Sequence, residues 1–140
     1  FGAKKVIEIQ KNYMAHNRHH IPLLFMGDVI HGYKTVFPIP LALSCSFNPQ
    51  NYENAASVAA AESSVSGIQL TFSPMSDLVH DPRWGRVMES PGEDPYLNSL
   101  MTTAAVKGFQ GSDPKEKGKV ASCVKHFAGY GAAEGGREYN

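Results

Sequence analysis

The sequence predicts an α/β domain built around a parallel sheet. Three short apolar runs, Ile21–Met26, Ile68–Ser73 and Val120–Phe127, are continuous rather than alternating, as in parallel strands covered on both faces. Each run ends in polar or glycine-rich residues, and helical patterns follow the first two. The starts of the runs lie about 50 residues apart, against about 30 for a minimal strand–helix–strand unit. The connections therefore carry extra material.

The elements can be justified in chain order. An opening helix is predicted over Lys4–His16, with Val6, Ile9 and Tyr13 on one side. The first strand is expected at Pro22–Met26. Asn48 before Pro49 is an N-cap with proline at the first helical position, and the helix reads to Ser66, with Tyr52, Ala55, Ala56 and Ala59 as its core stripe. Gly67 stops it, and Leu70–Ser73 is the second strand. Asp94 and Pro95 repeat the start signal for a helix over Pro95–Gln110. Leu97, Leu100, Met101, Ala104, Ala105 and Gly108 hold its period, and Gly111 ends it. The polar Ser112–Gly118 is an exposed loop leading to a third strand at Val120–Lys125.

Composition narrows the function. Lys and Arg total 13 and Asp and Glu total 13, so there is no positive footprint for a nucleic acid. A 42% hydrophobic and 19% charged composition is that of a globular chain, which excludes disorder. No apolar run approaches the roughly 18 residues of a membrane span. Cys45 and Cys123 define neither a disulfide framework nor a metal-ligand spacing. The given sequence starts at Phe1, and its first residues do not read as a charged-then-apolar leader. Its 140 residues fit one domain and fall short of the roughly 250 of a closed eightfold barrel. Residues 1–140 are therefore expected to be a single partial domain cut from something larger.

Chemistry in α/β sheets gathers at the carboxyl ends of the strands. Gly27–Gly32, with Asp28 and His31, follows the first strand. Ser73–Asp77 and Asp81-Pro82-Arg83-Trp84-Gly85-Arg86 follow the second. Lys125-His126-Phe127 ends the third and leads to Glu134-Gly135-Gly136-Arg137. Charged groups are rarely buried unless paired, so such a rim points to a ligand site. Each residue also has a plainer reading. Asp28 is as well placed to cap a turn. Arg83 and Arg86 have Glu89, Glu93 and Asp94 as partners for a structural network. His126 fits a satisfied core histidine, and Trp84 fits burial better than sugar stacking. Lys125 inside an apolar run favours function, because burying an unpaired lysine is costly. His16, His19, His20 and His80 read as surface residues.

Taken in order, these strings resemble the N-terminal barrel domain of glycoside hydrolase family 3, in particular its bacterial β-glucosidase branch. The resemblance rests on Gly27–Gly32, Phe37-Pro38-Ile39-Pro40-Leu41-Ala42, Asp81–Arg86, Gly92-Glu93-Asp94-Pro95-Tyr96, Lys125-His126-Phe127 and Glu134–Arg137. It runs from about Ile21 to Asn140. It implies part of a (β/α)₈ TIM-like barrel, incomplete in this chain. It further implies a retaining exo-β-glucosidase that removes terminal β-linked glucosyl units from a β-glucoside or oligosaccharide. Asp28, Arg86, Lys125 and His126 match the family's substrate-binding residues, and Arg137 is a weaker match. Those residue types suit the task, since a carboxylate accepts two hydroxyl hydrogen bonds and Lys and Arg donate charge-assisted ones. No metal or organic cofactor is implied, and a bacterial periplasmic or cytoplasmic location follows if the resemblance holds.

One departure limits the reading. Retention needs two carboxyl groups roughly 5–5.5 Å apart, and the family places its nucleophile on a later barrel strand and its acid/base in a second domain. Neither falls within residues 1–140, so the catalytic pair is expected in the remainder of the protein, and the fragment alone is expected to be inactive and unstable. Three other readings stay open from the residues. Lys125 at a strand end also suits a Schiff-base aldolase-type barrel. Asp28, His31 and His126 form a weak metal-ligand set. A non-catalytic carbohydrate-binding remnant would keep the same rim.

Overall fold

The computed structural model describes residues 2–113 and 115–138. Three strands, β1 (Met26–Gly27), β2 (Leu70–Thr71) and β3 (Ala121–Ser122), form one sheet in sequence order. Both pairings are parallel, with Met26 opposite Leu70 and Leu70 opposite Ala121. The α/β class and the parallel sheet expected from the sequence are present.

The strands are shorter than predicted, for reasons of hydrogen bonding. Pro22 has no N–H to offer, and pairing starts only where Phe25 O accepts from Gln69 N. Ser73 gives way to Pro74, which interrupts the ladder on β2. Beyond that proline the chain still runs beside the third strand, since Met75 and Lys125 form an isolated parallel bridge.

Helices α1 (Ala3–His16), α2 (Pro40–Ser44), α3 (Pro49–Val65) and α4 (Pro95–Gln110) complete the frame. Their caps work as the sequence indicates. Asn48 accepts from Gln50 N and Asp94 from Leu97 N. Gly67 and Gly111 follow α3 and α4 with φ of 98° and 67°, a region that favours glycine. Helix α2 and two 3₁₀ turns, Val87–Glu89 and Tyr130–Ala132, are additional to the predicted elements. They are too short to carry a period.

The core lies in the helix layer and where it meets the sheet. Tyr52, Ala55, Met101 and Ala105 pack with Leu43, while Ala56, Ala59, Ala60 and Phe109 pack with Val29 and Val120. Small residues let α3 and α4 approach closely. A Cβ at Gly108 would strike the Glu53 carbonyl and come within 2.7 Å of Ala56 Cβ. Two expectations are corrected. Leu100 is exposed, because the α4 stripe is centred on Met101, Ala104, Ala105 and Gly108. Leu24, Met26 and Val124 are exposed as well, so the sheet is covered on one side only by the described residues. A third cluster of Met75, Val79, Trp84 and Ala133 lies under the carboxyl ends of the strands. That cluster carries the rim.

Candidate functional site

Two short segments set the rim. The first follows β2. There Ser76 N donates to Lys125 O at 2.7 Å and Val79 N donates to Gly92 O at 3.2 Å, tying the segment to both neighbours. The second is the turn after β3. It fits only because Gly131 is a glycine, since a Cβ there would run into the Leu78 carbonyl. Trp84 is buried, stands edge-on to Tyr130 with ring centroids 5.3 Å apart, and donates its indole N–H to Glu138 at 3.0 Å. It braces the rim from below rather than presenting a stacking face.

Lys125 Nζ donates to Asp28 Oδ1 at 3.0 Å, joining the ends of the first and third strands across 97 residues of chain. The lysine side chain is 15% exposed and the aspartate side chain 63%. The carboxylate therefore keeps most of its hydrogen-bonding capacity free. Asp28 is no mere turn cap.

Arg86 and His126 form the other half. Arg86 grips Glu89 with two bonds of 2.7 Å, Nε to Oε1 and Nη2 to Oε2, leaving Nη1 to face His126 Nε2 at 3.3 Å. That fork stabilises both charges. The Glu89 contact raises the Arg86 pKa, and Arg86 lowers that of Glu89 against the opposing effect of burial. Glu89 also feels Lys125, which lowers its pKa further, and Asp28, which raises it. The two halves thus share one electrostatic neighbourhood. Tyr130 flanks both remaining groups, edge-on to His126 at 4.4 Å and 5.5 Å from the Arg86 guanidinium carbon.

Asp28, Arg86, Lys125 and His126 therefore converge on one rim. Arg137 is exposed in the Glu134–Arg137 turn, where its backbone N–H donates to Glu134 O at 3.0 Å. Arg83 is a surface residue paired with Asp81 at 2.6 Å, which holds the Asp81 carboxyl well below its ordinary range. His16, His19, His20 and His80 are exposed. Among the described residues no group of three histidine, cysteine or acidic side chains is placed to hold a metal ion, so Asp28, His31 and His126 are not such a set. Cys45 and Cys123 are free thiols.

Two residues escaped the sequence reading. Asp77 is buried and bonded to His126, and Tyr130 shields the histidine and the arginine. Both lie in segments that a strand-end search reaches. Only a contact spanning 49 residues distinguishes Asp77 from its neighbours.

An open cleft of about 570 Å³ lies against Arg86, His126, Phe127 and Tyr130. A second cleft of similar volume, at the opposite ends of the strands, is lined by Gln69, Gln110, Lys119 and Val120. Volume does not separate them. The charged cluster does, and it makes the carboxyl-end rim the candidate site, at the end where α/β barrels carry their polar sites.

Comparison with known proteins makes the family specific. The sequence profile of the Glycosyl hydrolase family 3 N terminal domain matches residues 2–140, and the chain belongs to that family. It is 48% identical over 133 residues to a periplasmic beta-glucosidase of Salmonella typhimurium, covering 95% of this chain and 17% of the relative. A putative beta-xylosidase of Formosa agariphila is 38% identical over 144 residues, covering 99% and 19%. The crystal structure of a beta-glucosidase from Listeria innocua in complex with glucose superimposes with a TM-score of 0.96 at 58% identity, covering 99% of this chain and 20% of that one. The chain is accordingly part of a TIM-like barrel and spans about a fifth of the length of the relatives it matches.

Proposed function

We propose that these residues form the substrate-recognition half of a retaining exo-β-glucosidase acting on terminal β-linked glucosyl residues. The observation that carries the reading is the convergence of Asp28, Lys125, Arg86 and His126 on one rim, in a chain whose relatives are named beta-glucosidases. Asp28 would accept bonds from neighbouring sugar hydroxyls, with Lys125 and Arg86 donating to their oxygens. Such a site rejects analogues that lack a hydroxyl, because its own polar groups would then be left unpaired. The nucleophile and acid/base belong, in this reading, to the remainder of the protein, with residues 1–140 a partial domain. Arg137 is a weaker candidate for the same site.

The similarity to a beta-xylosidase supports a second substrate, a terminal β-xylosyl unit, on the same rim. Assay of the full-length protein on p-nitrophenyl β-glucoside and β-xyloside decides between them. Retention is read from the anomer released first, by NMR. Release of the α-anomer defeats the retaining mechanism, and failure to cleave either substrate defeats the glycosidase reading. The aldolase-type alternative fits less well, since Lys125 Nζ is engaged by the Asp28 carboxylate. Borohydride trapping of a carbonyl substrate on Lys125 is its test.

A further inference from the structure

We propose that Asp77 is a positioning residue that fixes His126 as the neutral tautomer carrying its proton on Nδ1. The inference rests on the glycosidase reading only for what the histidine then does.

The argument comes from donors and acceptors. Asp77 Oδ2 lies 2.8 Å from His126 Nδ1 and also receives the His126 backbone N–H at 3.0 Å. A carboxylate only accepts hydrogen bonds, so Nδ1 carries a hydrogen. On the other side of the ring, Arg86 Nη1 faces Nε2 at 3.3 Å. A guanidinium only donates, so Nε2 presents its lone pair. Both neighbours are satisfied by one protonation state, the neutral ring protonated at Nδ1. The one lone pair of Nε2 is shared with Arg86 Nη1, so the ring in turn holds the guanidinium at the rim.

Asp77 is itself immobilised. Its side chain is 3% exposed, and its carbonyl accepts from the Ser90 hydroxyl, which in turn receives Gly92 N at 3.1 Å. Tyr130 closes one side of the imidazole, edge-on at 4.4 Å. The ring is therefore clamped at its main chain, at Nδ1 and on one flank. Asp77 reaches no described group of the rim other than His126, so it acts through the histidine.

The test uses the full-length protein. ¹⁵N spectra of histidine-labelled protein, with His126 assigned by the His126→Gln variant, should show a neutral ring protonated at Nδ1. A ring protonated at Nε2, or a mixture of tautomers, overturns the proposal without any variant of Asp77. In Asp77→Leu the His126 signal should become a mixture, and kcat/KM should fall about ten- to hundredfold, the usual loss for a hydrogen bond to a charged group. Asp77→Asn, which can still present a carbonyl oxygen to both donors, should recover part of that loss. The double variant Asp77→Leu/His126→Ala should be no slower than His126→Ala alone, because the aspartate acts only through the histidine. Fully additive losses, or an unchanged tautomer in Asp77→Leu, overturn it. A wild-type protein that cleaves no glycoside would remove the proposed function and leave the tautomer measurement standing.

Discussion

The two halves of the rim are built differently. Arg86 and His126 are each held by a carboxylate behind them, Glu89 and Asp77, and both contact Tyr130. Among the described residues the side chains of Asp28 and Lys125 hydrogen-bond each other, through one 3.0 Å bond, and the aspartate stands largely in solvent. A single bond whose carboxylate stands largely in solvent contributes about 0–1 kcal/mol to stability, whereas the two-bond Arg86–Glu89 fork fixes a planar group in place. One half is set in advance and the other is left with hydrogen-bonding capacity to spend on a ligand. Preorganised groups lose little on binding, and free ones supply the new contacts.

The largest expected effect concerns the open half. Residues 1–140 expressed alone should cleave no p-nitrophenyl β-glucoside, since no nucleophile and acid/base pair is proposed within them. They should also fail to fold as a stable monomer. Leu24, Met26, Val124 and the fully exposed Phe127 present apolar surface, and a three-stranded parallel sheet keeps two open edges. Sedimentation and thermal unfolding check this. A monomeric, cooperative transition would show that the exposed sheet face needs no cover.

Next comes Asp28→Ala in the full-length protein. It should remove about 3 kcal/mol of transition-state stabilisation, roughly a hundredfold in kcat/KM, with a smaller loss of stability from leaving the largely buried Lys125 unpaired. Stability falling as much as activity would place Asp28 in the structural rather than the ligand-facing half.

Glu89→Gln should reverse that balance. Losing one partner of the Arg86 fork should lower stability by about 1 kcal/mol and activity by less than Asp28→Ala does. Equal losses of activity in the two variants would erase the distinction between the halves.

The smallest effect is in pH. The folded-state pKa of Glu89 lies below its ordinary 4.5, chiefly through the Arg86 hydrogen bonds. Its contribution to stability is therefore complete above about pH 4.5 and is lost as pH falls through the lower folded value. Arg86 stays charged throughout, since its pKa is raised. Wild type and Glu89→Gln should differ in stability at neutral pH and converge in acid. A difference that persists unchanged to low pH would remove the ionic part of the fork.

Much of the frame was readable before the structure because its signals are local. An asparagine or aspartate before proline caps a helix with atoms a few residues away, and glycines beyond α3 and α4 adopt positive φ on their own account. The strand-end strings pointed to the rim, and the family resemblance singled out Asp28, Arg86, Lys125 and His126, whose side chains lie near one another there. Leu100 was misread because a period defines a stripe without fixing its centre, and the closeness of α3 to Gly108 decided which face went in.

The sequence by itself determined the α/β order and the caps of the two long helices, because these depend on neighbours along the chain. Tertiary structure alone decided the partnerships. Asp28 meets Lys125 across 97 residues, Arg86 meets His126 across 40, and Asp77 meets His126 across 49. Hydrogen bonds form between atoms about 3 Å apart, and which distant side chains come that close is set by strand register and turn packing rather than by any spacing within one segment.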